Sequence, residues 1–437
     1  MGHRRYDHEL FRPEFRMCFD EDRGAGAENT AFGAMLRRGG AGRRGDSPNA
    51  VHFRTQLPQN QRPFVPSQPI LGTPTRRLFL ARLSAAVAAS VITRPASARP
   101  APSKILIPKP SVPWPQATRI IGGPDWFAQY PAGTLAEPGN TDPGFNDFCL
   151  IQDKSNRWHC IGISAEMGND STLFHGVSDH VDGHYTVLPR IHSGVADEKV
   201  VRHMWAPFAV WKDTTTALLF YAHIETDPKD DSEITTMRVL ESRDPKLESW
   251  HPLNASQLPQ GNIAFSEHFD RDPMILWDDD RRCYLMYYVV GNGWADPEPS
   301  NVVCVRQSSD LITWGPPKTL MSPPTGYRAS ESVYVIKRNG YYYMWVCGFD
   351  YGRMSLYISD DPLNFGDPDK NRIMEQSGHS PEFVQVDGRD LIACVSVATT
   401  FGNRPGRHDL HGVYIQPLTW AEPDPDMLAK VVRTAAK

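Results

Sequence analysis

The sequence is short of several things, and each shortage removes a class of protein. Lysine is missing from residues 1–98, which hold 15 Arg against 8 Asp plus Glu. The whole chain of 437 residues carries −5, and residues 1–98 carry +7, so residues 99–437 carry −12. That acidic body has no basic face for a nucleic-acid partner. Cysteine is sparse: seven in all, six of them beyond residue 98 (Cys149, Cys160, Cys283, Cys304, Cys347 and Cys394). None shows C-x-x-C spacing, and there is no zinc pattern, so no metal or other cofactor is expected. The six lie in apolar runs and read as small buried hydrophobes. Long apolar stretches are also missing: the run from Ala85 to Ile92 is too short to span a membrane. Helical periodicity is scarce after residue 110.

What the first hundred residues do contain is an ordered set of signals. Arg76-Arg77-Leu78-Phe79-Leu80 precedes the apolar run, and Ala96-Ser97-Ala98 follows it. A basic region, an apolar region and an A-x-A site in that order make an export signal. The paired arginines resemble the twin-arginine signal of bacteria. Residues 1–98 are therefore expected to be an unstructured leader cleaved near residue 98. The mature protein is expected to start near Arg99, in the periplasm or outside the cell, with no membrane span. Residues 99–139 are expected to form an extension packed on the main domain, residues 140–425 the domain itself, and residues 426–437 a tail.

The main domain reads as all-β. Short apolar runs come in pairs, such as Met274 to Trp277 with Tyr284 to Val290, and Val333 to Lys337 with Tyr341 to Cys347. Polar turns separate them, including Asn339-Gly340 and Asp387-Gly388, both strong hairpin signals. After each hairpin comes a third run and a Ser-Asp module. The copies read Ser178-Asp179, Ser242-Arg243-Asp244 with Trp250, Ser309-Asp310 with Trp314, and Ser359-Asp360-Asp361 with Phe365; a fifth closes through Gly412 to Trp420. The copies start near residues 147, 205, 272, 331 and 382. A four-stranded unit repeated five times predicts a five-bladed β-propeller. Trp211, Trp250 and Trp314 are expected to pack between blades.

The innermost strand of a propeller blade lines the central channel, so residues at its start point into a shared funnel. Those starts read Asn146-Asp147, Trp205-Ala206-Pro207, Arg271-Asp272-Pro273, Ser330-Glu331-Ser332 and His379-Ser380-Pro381-Glu382. Asp147, Asp272 and Glu331 are expected at one register on three blades. Crowded carboxylates raise at least one pKa, which suits an acid/base pair. Glu382 is placed at the same register, as a structural hydrogen-bond acceptor.

This ordered set resembles the five-bladed glycoside hydrolases of families 43 and 32. The resemblance covers roughly residues 140–420. It implies that Asp147 is the first-blade acid, a general base in family 43 and a nucleophile in family 32. It implies that Asp272 orients the substrate and tunes the proton donor, and that Glu331 is that donor. Phe148 and Ser332-Val333 depart from the residues that usually follow the two acids. The substrate implied is a carbohydrate, a furanoside of arabinose or fructose, or a xyloside. Arg271 is expected to steady the negative cluster, Trp205 and Trp294 to stack on sugar, and His203, Arg328 and His379 to line the funnel. A carbohydrate-binding propeller without chemistry is the alternative reading. A phosphorylase would need a basic cluster, and Arg271, Arg328 and Arg353 are scattered.

Overall fold

Two tight turns show how the chain makes its hairpins. Asn339 and Gly340 have φ of 52° and 75°, and Asp387 and Gly388 have φ of 51° and 72°. Two successive positive φ values match the right-handed twist of the flanking strands, and Asn-Gly and Asp-Gly reach them at the least cost. The computed structural model describes residues 104–122, 145–163, 171–194, 201–226, 233–253, 269–291, 301–327, 329–348, 352–396 and 412–434. All lie in one unit, Ile92–Lys437. The expected export signal lies outside the described residues. No helix among the described residues is long and apolar enough to cross a membrane.

The strands run in chain order. First come β1 (Ile107–Pro110) and β2 (Thr118–Ile121). Blade I holds β3 (Asn146–Gln152), β4 (Trp158–Ile163), β5 (Phe174–Ser178) and β6 (Thr186–Val187). Blade II holds β7 (Val201–Trp211), β8 (Ala217–Thr226), β9 (Glu233–Ser242) and β10 (His251–Pro252). Blade III holds β11 (Phe269–Asp278), β12 (Cys283–Gly291), β13 (Val302–Ser308) and β14 (Lys318–Met321). Blade IV holds β15 (Ser330–Arg338), β16 (Tyr341–Gly348), β17 (Arg353–Ser359) and β18 (Met374–Ser377). Blade V holds β19 (Glu382–Val386), β20 (Arg389–Ser396) and β21 (Gly412–Ala421), and a short helix α1 (Pro425–Lys430) follows. Each of blades I to IV is an antiparallel sheet in chain order. The fold is an all-β, five-bladed propeller.

Blade V is completed from the other end of the described chain. β1 pairs antiparallel with β21, Ile107 opposite Ala421, and β2 pairs with β21 further along. The stretch read as an extension thus supplies two strands of a blade. Trp114, buried between them, donates its indole N–H to the Ser377 carbonyl of blade IV at 2.8 Å. The stretch read as a tail is tied down too: the Val432 N–H donates to Ile358 O at 3.0 Å. Without β1 and β2, the outer edge of β21 would be an open row of N–H and C=O groups.

The Ser-Asp modules cap the third strands. Ser178, Ser242, Ser308 and Ser359 are the last residues of β5, β9, β13 and β17 and are buried. Each hydroxyl accepts the N–H two residues on, at 3.3, 3.3, 3.2 and 3.0 Å. In blades II, III and IV that second residue is an Asp (Asp244, Asp310, Asp361) whose carboxylate accepts the next free N–H groups. The blade III module therefore begins at Ser308, one residue before the Ser309 read from the sequence. A double serine hid the register.

Apolar packing between neighbouring blades forms the core. Phe148, Leu150 and Trp158 of blade I pack with Leu391, Val395 and Ile415 of blade V, which closes the ring. Trp250 and Trp314 pack partly buried against the largest cluster. Trp211 packs there too and donates its indole N–H to Gln152 O of blade I at 2.9 Å. Five of the six described cysteines are buried, Cys283 is half-buried, and all six are free.

Candidate active site

The funnel is built from one backbone irregularity repeated around the ring. In blade II the ladder pairs Trp205 with Ala222 and resumes at Phe208 with Phe220. In blade III it pairs Arg271 with Val289 and resumes at Met274 with Tyr287. In blade IV it pairs Glu331 with Cys347 and resumes at Tyr334 with Trp345. One extra residue on the inner strand is a β-bulge, which re-aims a side chain. The first bulged residues, Ala206, Asp272 and Ser332, have φ of 46°, 58° and 42°. Ser380 of blade V repeats this at 49°. In blade I the ladder skips Asp147 between Asn146 and Phe148.

This geometry corrects the expected register. Asp147 and Asp272 occupy the bulge, but Glu331 sits one residue earlier, where blade III has Arg271, blade II Trp205 and blade V His379. The bulge position of blade IV belongs to Ser332. Glu382 does not share either position. It lies two residues past Ser380, level with Tyr334 and Met274, where the apolar core begins. Burial pushes its carboxyl well above the usual range, against hydrogen bonds from the Leu150 backbone and Tyr334. The sequence offered prolines as strand starts, whereas the inner strands of blades II and III begin upstream of Pro207 and Pro273. That is why the bulges were invisible.

The bulges bring the acids of three blades together. Asp147, Asp272, Glu331 and Arg271 are all at least nine-tenths buried, and His379 is fully so. Arg271 forks between two carboxylates: Nη1 donates to Asp272 Oδ2 at 2.8 Å, and Nη2 lies 2.7 Å from Glu331 Oε1. Ser332 bridges the other two. Its Oγ–H donates to Asp147 Oδ1 at 2.6 Å, and its backbone N–H donates to Asp272 Oδ2 at 2.9 Å. His379 Nε2 stands 3.7 Å from Asp147 Oδ1 and 3.5 Å from Ser332 Oγ. The second oxygen of Glu331, Oε2, is buried and has no hydrogen-bond partner among the described residues.

The three carboxyls are held differently. Burial raises Glu331 to about 8; Arg271 opposes this, while Asp272 and Asp147 add to it. Burial also raises Asp147, against hydrogen bonds from Ser332 and Ser380 and the charge of Arg271. Asp272 is raised by burial, opposed by Arg271 and reinforced by Asp147. Donors that cannot accept, namely the Arg271 guanidinium and the Ser332 N–H, point at Asp272 and so favour its ionised form. Burial therefore favours the protonated form of Glu331 at neutral pH, against the pull of Arg271.

The remaining expected residues divide in two. His203 and Trp205 lie on β7 with stacked rings, centroids 4.6 Å apart and planes 24° apart. His203 is buried and Trp205 half-buried. Trp294 and Arg328 lie outside the described residues. Sequence reading gave Ser332 and Ser380 no role. The signal was present as the recurring small residue in Ala206-Pro207, Asp272-Pro273 and Ser380-Pro381, with Ser332-Val333 as its blade IV form. No group of three His, Cys, Asp or Glu among the described residues is placed to hold a metal ion.

The sequence matches the family described as glycosyl hydrolases family 43 over residues 199–424. The chain belongs to that family. It is therefore a glycosidase, and the matched span takes in Asp272, Glu331, Arg271 and Ser332. No curated protein matches this family 43 chain in sequence. Among solved structures, a thermostable family-43 glycoside hydrolase is similar with a TM-score of 0.49 and 15% identity, covering 67% of this chain and 96% of its own. A family-43 β-xylosidase/α-arabinofuranosidase from a compost microbial metagenome, solved with xylotriose, has a TM-score of 0.46 and 18% identity, covering 66% and 96%. A Bombyx mori family-32 β-fructofuranosidase has a TM-score of 0.47 and 15% identity, covering 64% and 61%.

Proposed function

We propose that the enzyme cleaves xylosides or arabinofuranosides with Glu331 as general acid, Asp147 as general base and Asp272 as a substrate-orienting carboxylate. The observation that carries this reading is the asymmetry among three buried carboxyls. Burial raises Glu331 to about 8 in spite of Arg271 on its Oε1, and its Oε2 has no hydrogen-bond partner among the described residues; Asp147 and Asp272 are raised too, but accept hydrogen bonds from Ser332 that favour their charged forms. Glycosidic cleavage needs that division: a protonated carboxyl at the leaving oxygen and an ionised carboxylate across the ring. In this reading Glu331 gives its proton from Oε2 to the departing oxygen as the bond to the anomeric carbon lengthens. Asp147 takes a proton from water as that water attacks the opposite face. Asp272, anchored by Arg271 and the Ser332 N–H, receives sugar hydroxyls whose hydrogen bonds strengthen as positive charge grows on the ring. Trp205, half-buried on β7 beside the bulge of blade II, is the aromatic residue assigned to a sugar face. The choice of sugar follows the resemblance to family 43.

A base-activated water inverts the anomeric centre, whereas a carboxylate nucleophile retains it. Proton NMR of the first-formed sugar, with xylo- and arabino-oligosaccharides as substrates, reads this directly. The inverted anomer is expected, with a large loss of turnover in Asp147→Asn. Formation of the retained anomer would make Asp147 a nucleophile, and full activity of Asp147→Asn would remove it from the chemistry.

A further inference from the structure

We propose that Ser332 is a positioning residue that holds Asp147 as a carboxylate aimed into the funnel. The inference rests on the assignment of Asp147 as general base and adds a residue that assignment does not include. Ser332 comes from blade IV, yet its hydroxyl reaches Asp147 of blade I at 2.6 Å, the length of a charge-assisted O–H···O⁻ bond. The same residue fixes Asp272 of blade III through its backbone N–H at 2.9 Å. It can do both because it stands in the bulge with φ of 42°, which turns the N–H and the side chain toward different neighbours. Non-glycine residues rarely adopt that conformation, so the backbone strain is tolerated for what the position achieves. The Cys347 thiol donates to the Ser332 carbonyl at 3.6 Å and braces the bulge from β16.

The surroundings of Asp147 make the hydroxyl matter. Arg271 and Asp272 face it from blade III, Glu331 and Cys347 from blade IV, and His379 from blade V. Arg271 is paired with Asp272 and Glu331, and its charge reaches Asp147 only from beyond those two pairs. Ser332 and Ser380 supply the neutral hydrogen bonds that favour ionised Asp147, against its burial. Removing one donor to a buried carboxylate raises its titration midpoint.

Ser332→Gly tests this. Glycine accepts positive φ without strain and keeps the backbone N–H on Asp272, so the variant removes the side chain with its hydroxyl and leaves the backbone donor in place. Two readouts are taken on the full chain: the ¹³C carboxyl titration of Asp147, assigned by its loss in Asp147→Asn, and the pH profile of kcat/KM. The Asp147 midpoint and the acid limb should both rise by about one pH unit, with the alkaline limb unmoved. An unchanged Asp147 midpoint, or a loss of activity uniform across pH, overturns the proposal. Ser332→Ala gives the same readout should the glycine variant fail to fold. A raised Asp147 midpoint in Ser332→Gly, with no glycoside cleaved by wild type, would sink the proposed function and leave the Ser332 contact standing.

Discussion

At the scale of single residues, the site's chemistry follows from who holds which proton. Glu331 is the clearest case. Its carboxyl titrates at about 8 in the folded protein against 4.5 for the free group, chiefly through burial. A raised acid binds its proton more tightly when folded. Its contribution to stability is therefore complete below about 4.5 and is lost as pH rises through about 8. Gln in its place is a permanent copy of the neutral form. The stability of Glu331→Gln relative to wild type should rise between pH 4.5 and 8, by up to roughly 1.4 kcal/mol per pH unit. Urea unfolding of both proteins at pH 5 and pH 8.5 measures the gap. An equal gap at the two pH values would show that Glu331 is not a buried proton holder.

At the scale of elements, the propeller depends on a bulge that recurs in its inner strands. Hairpins, turns and the third-strand serines, apart from the double serine of blade III, were legible in the sequence because each has local chemistry: Asn-Gly and Asp-Gly for φ above zero, Ser and Asp for free N–H groups. The bulges were not legible. Arg271-Asp272-Pro273 looked like a charged start to a strand, since proline is tolerated at a strand's first residue. In fact β11 runs from Phe269, and Asp272 is thrown out of its ladder. The displacement of Glu331 from Asp272 by one register position was hidden for the same reason, since only backbone pairing reveals which residue is extra. The membership of the acid cluster survived this error, because both positions look into the same channel. Ala206 isolates the backbone cost of the bulge: it has φ of 46° and a methyl side chain. Ala206→Gly should stabilise the protein by about 0.5–1 kcal/mol, read as a rise in Tm, because glycine removes the left-handed penalty. A lower Tm would mean that the methyl group's packing outweighs the strain.

At the scale of the whole molecule, the ring is the device that makes a site from distant sequence. Asp147 and Ser332 are 185 residues apart and in hydrogen-bond contact. Asp272 and Ser332 are 60 apart. Apolar packing of blade I on blade V closes the ring, and His379 of blade V stands beside Asp147 of blade I. The central claim is that this assembly divides acid and base between blade IV and blade I. The most direct measurement compares kcat/KM for wild type, Glu331→Gln and Asp147→Asn on two substrates of the same sugar. One is an unactivated oligosaccharide and the other a dinitrophenyl glycoside, whose leaving group needs no proton. Glu331→Gln should lose about 10²–10⁴-fold on the oligosaccharide and far less on the dinitrophenyl glycoside. Asp147→Asn should lose similar amounts on both. Equal losses by Glu331→Gln on the two substrates would contradict its role as the proton donor.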